Sequence, residues 1–185
     1  MKFSLGDSTL SIVDFDFYGI TPAQAQSYHE SLCAHVAYVK EAGRKLGLPD
    51  SQLDQHDYSK WMPEEFPYYA RQFHGDKGDP DGFASAWLHH VHCGSHHWQH
   101  FIFPDGFTPR GSNVEAGLMR MPKRDLREMV ADWQGASRAY TGSWDMTEWL
   151  LNNLSKIRLH TASWAALAAT LCEVGYDGNG LVYGR

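Results

Sequence analysis

Eleven histidines occur in this chain of 185 residues, and six of them (His89, His90, His92, His96, His97 and His100) fall between positions 89 and 100. The cluster is internal and mixed with Trp and Cys, unlike a purification tag. Upstream, His56-Asp57 places an imidazole beside a carboxylate, and His35 precedes it by 21 residues. Downstream, Asp132 lies in the run EMVADW. Imidazole nitrogen combined with carboxylate oxygen suits Mn, Fe, Co, Ni or Zn, with Mg also within reach. Ca prefers sites built from oxygen alone.

These residues need elements to hold them. Thr21-Pro22 opens a helix that carries His35 and is expected to run to Gly47, with Leu32, Val36, Val39 and Leu46 as its apolar stripe. Pro49-Asp50-Ser51 starts a short helix ending in HDYSK, and PEEFPYYARQF is expected to be helical with a break at Pro67. GDKGDPDG is a loop, after which FASAWLHHVH reads as a helix that Gly94-Ser95 interrupts or ends. FPDGFTPRGSN is a long loop, and residues 104–121 are expected to matter for specificity. Pro122 opens a helix to about Ser137, and two more follow near 145–157 and 161–174. KFSL and TLSIVDF, around Gly6-Asp7-Ser8, read as a short N-terminal β-hairpin or strand, and the tail GYDGNGLVYGR as a further short strand. The expected fold is mainly α in one domain over 1–185: an extended element at 1–20, a helical core at 21–175 and a tail at 176–185.

Composition narrows the function. Hydrophobic residues make up 43% and charged residues 21% of the chain, which is globular and not disordered. Net charge is −6 with no basic stripe, which argues against long nucleic acid as a partner but leaves room for a nucleotide-sized anion. Three cysteines (Cys33, Cys93, Cys172) without CxxC spacing read as small buried hydrophobes in a reducing cytoplasm. No apolar run has the roughly 20 residues needed to span a bilayer, so no membrane partner is expected.

The order His … His-Asp … His/His … Asp on a helical scaffold resembles the HD-domain superfamily of metal-dependent phosphohydrolases. Lys60 in HDYSK stands three residues after Asp57, where several branches carry a lysine that meets a substrate phosphate or hydroxyl. AWLHHVHCGSHHWQH followed by MPKRDLREMVADW is similar to a family of small phage and bacterial HD-like proteins with HDxSK, HH, HH and EMxxDW. The resemblance covers roughly residues 29–140. It implies an HD-like helical bundle, with His35, His56, Asp57 and Asp132 around a first metal. Two more histidines would allow a second metal bridged by Asp57, hence one or two ions per chain. If the protein is phage-encoded, as the resemblance allows, the cytoplasm expected from the cysteines is that of the host.

Phe83, Trp87 and His90 follow at spacings of four and three, which puts His90 on the apolar side, and His97 seven residues on lies on the same face if the helix continues. His90 and His97 are therefore the expected ligands, with His89 and His96 supporting them or touching substrate. The alternative pair His89 and His96 has the same spacing. Glu128, one turn before Asp132, could orient a ligand histidine or act as acid or base, as could Glu64 and Glu65. Lys60 would hold a phosphate oxygen, and Arg110, Arg120, Lys123 and Arg124 are further anion contacts or simply solvated. His29, His74, His92, His100 and His160 read as surface or supporting residues. The tryptophans read as core, with Trp98 and Trp133 able to wall a stacking pocket. The leading reading is a phosphohydrolase acting on a nucleotide or other small phosphate ester, and a homo-oligomer is compatible with it. The alternatives are an HD-fold mixed-valence di-iron oxygenase, whose ligands are the same, and a non-enzymatic protein that sequesters a nucleotide.

Overall fold

Helices carry almost all of the regular structure in the computed structural model, which describes residues 4–5, 8–9, 15–104 and 107–184. The helices are α1 (Phe15–Tyr18), α2 (Pro22–Lys45), α3 (Asp50–Leu53), α4 (Phe66–His74), α5 (Pro80–Cys93), α6 (Lys123–Thr141), α7 (Thr147–Asn153), α8 (Thr161–Glu173) and α9 (Gly178–Tyr183). Turns of 3-10 helix fall at Tyr58–Trp61, Trp98–Phe101 and Leu154–Lys156.

The expected N-terminal strands shrink to β1 (Ser4–Leu5) and β2 (Ser8–Thr9), which pair antiparallel with Ser4 opposite Thr9. Two residues per strand make no sheet layer. Residues 1–3, 6–7 and 10–14 of those runs lie outside the described residues. Phe15–Tyr18, expected as the end of a strand, is one turn of helix. The tail is also helical, because Asp177 caps α9 by accepting from the Gly180 N–H at 2.9 Å while Leu181 and Val182 pack on apolar neighbours.

Helix α2 begins with a capping box. Thr21 Oγ1 accepts from the Gln24 N–H at 3.2 Å, and Gln24 Oε1 accepts from the Thr21 N–H at 2.7 Å. It ends in a Schellman turn, in which Gly47 takes φ +74° and the Leu48 N–H reaches the Gly43 carbonyl at 2.9 Å. Between the caps, Ala25, Tyr28, Leu32, His35, Val39, Ala42 and Leu46 are buried, at alternating spacings of three and four. That places His35 in the middle of the buried stripe. Pro67 falls in the first turn of α4 and does not break it.

The residues group into two compact units, each drawn from two stretches of chain: Met1–Ala34 with Asp57–Gly94, and His35–His56 with Ser95–Arg185. The smaller unit has an aromatic core. The Tyr28 ring lies 5.0 Å from Phe66 and stacks near Tyr69, and Tyr69 meets Phe83 edge-on at 5.2 Å. Ile20, Ala70, Ala86 and Val91 fill the spaces.

The larger unit is built around α6, whose Leu126, Met129 and Val130 are buried with Val39, Leu150, Leu154, Leu167 and Leu171. Gly135 permits its tightest contact: a Cβ there would lie 2.5 Å from Val39 Cγ2 and 2.8 Å from the Val39 backbone nitrogen. Trp98 and Trp133 pack against this core, and Trp133 lies 4.8 Å from Trp149. The segment after Phe101 is pinned by the Phe103 N–H on the Gly117 carbonyl at 2.7 Å and the Met119 N–H on the Phe101 carbonyl at 2.9 Å. Among the described residues, no helix is long and apolar enough to cross a membrane.

Candidate metal centre

In the larger unit, α2 presents His35 and α6 presents Glu128 and Asp132 from successive turns of one face, while His56 ends the segment after α3. The Val39–Gly135 contact sits one turn beyond His35 and Asp132 on their two helices, so it sets the distance across which these side chains meet. Asp132 Oδ1 lies 3.2 Å from His35 Nε2 and 3.6 Å from His56 Nε2. Donors bound to one ion at about 2.0–2.2 Å stand roughly 3.0–3.5 Å apart, so little movement would let all three share one. His35, His56 and Asp132 form one potential donor set, and His56, His96 and Glu128 form another.

The hydrogen bonds sharpen this. Glu128 Oε1 lies 2.9 Å from His56 Nδ1, and Gln52 donates to Glu128 Oε2 at 2.5 Å. Burial pushes the Glu128 carboxyl up, but the His56 hydrogen bond, His96 and Gln52 outweigh it and hold it below the usual carboxylate range. Burial likewise opposes ionisation of Asp132, yet hydrogen bonds from His35 and His56 keep it well below its ordinary value. With Glu128 ionised, His56 donates to it through Nδ1, and Nε2 is the ring nitrogen that faces Asp132. Two imidazoles and a carboxylate brought together in this way fit a divalent transition metal.

His96 is buried, with its ring 4.3 Å from that of His56 and Nδ1 3.5 Å from Glu128 Oε1. His97 is half-buried, with its ring 4.1 Å from His96. The shared-face expectation for His90 and His97 needed a continuous helix. Helix α5 stops at Cys93, and Gly94 takes extended backbone, so a spacing of seven no longer describes a face.

In the smaller unit, Asp57 sits in the left-handed region at φ +57°, a conformation uncommon outside glycine but tolerated by Asp. Its Oδ1 lies 3.3 Å from His90 Nε2, and its Oδ2 accepts from Lys60 Nζ at 2.7 Å. Lys60 is thus held, not solvated, and its ammonium also lies 5.6 Å from the centre of the Tyr69 ring. His90 is fully buried, as the Phe83 spacing implies. Its Nδ1 lies 3.0 Å from Glu65 Oε2 and 3.1 Å from Ser59 Oγ. Glu65 also binds His89, with Oε1 2.6 Å from Nδ1. Burial pushes the Glu65 carboxyl up, and His90, Ser59 and His89 bring it below its usual value.

Sequence reasoning passed over Gln52 and Ser59, although Ser59 lies inside HDYSK. Two expectations need correction. All three cysteines are exposed, not buried: Cys33 follows the buried Leu32 by one residue, which turns it off the stripe of α2. His160 is buried and structural, accepting from the Ala162 N–H through Nδ1 at 3.0 Å while Nε2 lies 3.1 Å from Glu115. Arg110, Arg120, Lys123 and Arg124 are exposed.

Residues 24–173, which include every histidine and carboxylate of the two units' groupings described above, match a family of unknown function, DUF5662. The chain belongs to that family. No curated protein and no solved structure matches the chain. The DUF5662 match begins within α2 and ends at the last residue of α8, so it takes in the helices that carry both the His35–His56–Asp132 and the Asp57–His90 groupings.

Proposed function

We propose that this protein is a metal-dependent phosphohydrolase of HD-like architecture, acting on a nucleotide or another small phosphate ester. The observation that carries the reading is the convergence of His35 Nε2, at 3.2 Å, and His56 Nε2, at 3.6 Å, on Asp132 Oδ1. His35, His56 and Asp132 would hold the ion. Such an ion lowers the pKa of a bound water and offsets phosphate charge.

The chain's own residues do the rest. Glu128 orients His56 and fixes its tautomer. His96, beside Glu128 and His56, is placed to take or give a proton. Asp57, following His56 in the HD dipeptide, holds the Lys60 ammonium, which is the cation offered to a phosphate oxygen.

The test is elemental analysis of protein purified without chelator or nickel resin, followed by phosphate-release assays over a panel of nucleotides. One or two equivalents of metal, lost together with turnover in His56→Ala and Asp132→Ala, are expected, and Asp57→Ala should also abolish turnover. No metal after reconstitution would overturn the reading. Two irons with absorption that changes on reduction and strictly oxygen-dependent activity would replace it with an oxygenase.

A further inference from the structure

The smaller unit carries a second group of donors, which the proposed function above does not use to hold its ion. His89 and Cys93 lie one turn apart at the end of α5, and Glu65 precedes α4. Glu65 Oε1 is 2.6 Å from His89 Nδ1, and Cys93 Sγ is 3.6 Å from His89 Nε2 and 3.8 Å from Nδ1. One ligand atom from each lies within 4.8 Å of the others. We infer that Glu65, His89 and Cys93 form a three-donor site for a thiophilic divalent cation of the zinc class, separate from the His35–His56–Asp132 set.

Tetrahedral zinc ligands with oxygen, nitrogen and sulfur donors stand about 3.3–3.7 Å apart. The sulfur already has that spacing to the imidazole, the oxygen–nitrogen pair must open, and the oxygen and sulfur stand within 4.8 Å of each other. The two oxygens of Glu65 divide the work: Oε1 faces His89, while Oε2 stays on His90 Nδ1 at 3.0 Å. Access comes from the other two ligands, since the His89 side chain is 36% exposed and Cys93 is exposed. The open side leaves a fourth position for water or a ligand, as in zinc sites that are not closed by protein. Burial, then the negative charges of Glu65 and Glu64, push the Cys93 thiol up, and the same two carboxylates favour a cation beside it. On binding, the Cys93 S–H proton goes to solvent as the sulfur–metal bond forms.

The molecule supplies its own control. His29 and Cys33 repeat the same spacing on α2, with Sγ 3.6 Å from Nε2 and 3.8 Å from Nδ1, but among the described residues no third donor joins them. A helical His–Cys pair alone is therefore not enough for a site.

The experiment uses the full chain, reduced and freed of metal, titrated with cobalt(II) alone. A sulfur-to-cobalt charge-transfer absorption is expected in the wild type and in Cys33→Ser, and its loss is expected in Cys93→Ser. The His35–His56–Asp132 set contains no sulfur, so cobalt there cannot produce the band. As a second measurement on unmutated protein, zinc at about ten times its Kd should slow alkylation of Cys93 about tenfold, because only the unloaded fraction reacts. Cys33 and Cys172 should react at unchanged rates. No charge-transfer band, a band that survives Cys93→Ser, or equal alkylation of Cys93 with and without zinc would overturn the site.

Discussion

The two units hold a buried histidine in the same way and then diverge. In the larger, Glu128 takes His56 Nδ1 at 2.9 Å and Asp132 faces Nε2 at 3.6 Å. In the smaller, Glu65 takes His90 Nδ1 at 3.0 Å and Asp57 faces Nε2 at 3.3 Å. The difference lies in what neutralises the facing carboxylate. Asp57 has the Lys60 ammonium at 2.7 Å, whereas the basic groups on Asp132 among the described residues are His35 and His56. A protein that places a lysine on one aspartate and a second imidazole on the other has a built-in cation in the first case and a donor set awaiting one in the second.

The largest expected effect breaks the built-in pair. Lys60→Met leaves the Asp57 carboxylate buried without its ammonium and should cost about 3–5 kcal/mol. Urea unfolding measures this, and a loss under about 1 kcal/mol would mean that Lys60 is not the counter-charge it resembles. Next is Gly135→Val, which drives a side chain into Val39 and should cost about 1–3 kcal/mol or somewhat more. It should also weaken metal binding by separating His35 from Asp132. An unaltered metal affinity would show that the helix contact does not set that distance. Glu128→Gln should lower metal affinity about 10–100-fold by releasing His56 Nδ1. Isothermal titration of that variant sharpens the comparison, since wild-type affinity would reduce Glu128 to a structural role.

The smallest effect lies at the surface of the smaller unit. Asp76 accepts from Arg71 Nε and from the Gly78 N–H, both at 2.8 Å, and these bonds hold its carboxyl at about 2 against an ordinary 3.8. A depressed folded-state pKa gives stability that is present above 3.8 and is lost as pH falls toward 2. Asp76→Asn should remove a small part of the acid-induced loss in that window, which stability measured across pH 2–4 would detect. An identical profile would mean the Arg71 contact contributes nothing measurable.

Much of this was legible beforehand because helices repeat. The stripe expected through α2 includes Val36, where the structure buries His35 one residue earlier, while the four-residue step from Asp132 locates Glu128 and Phe83 locates His90. What failed were inferences that carried a periodicity past its end or used composition alone. The shared face expected for His97 comes from counting through Gly94, where α5 has already stopped, so that face is lost although His97 is itself among the potential metal donors. The cysteines were assigned to the interior by residue type, but the helical face puts them outside. The tail looks extended because its few residues include Val and Tyr, yet Asp177 supplies a cap that side-chain propensity alone does not weigh. The partition of Glu65 between two histidines follows from tertiary packing, which no local spacing encodes.

The interleaving of the units has a consequence for synthesis. The smaller unit has all its residues once Gly94 has left the ribosome, but by then residues 35–56 are also outside, with Val39, Ala42 and Leu46 still lacking the α6, α7 and α8 side chains that bury them. The nascent chain must therefore carry an exposed apolar ridge on the second half of α2 until α8, which ends roughly eighty residues after Gly94, has followed it out. At about 5–20 residues per second that interval lasts on the order of five to twenty seconds, long enough for chaperones or for a neighbouring nascent chain to find it.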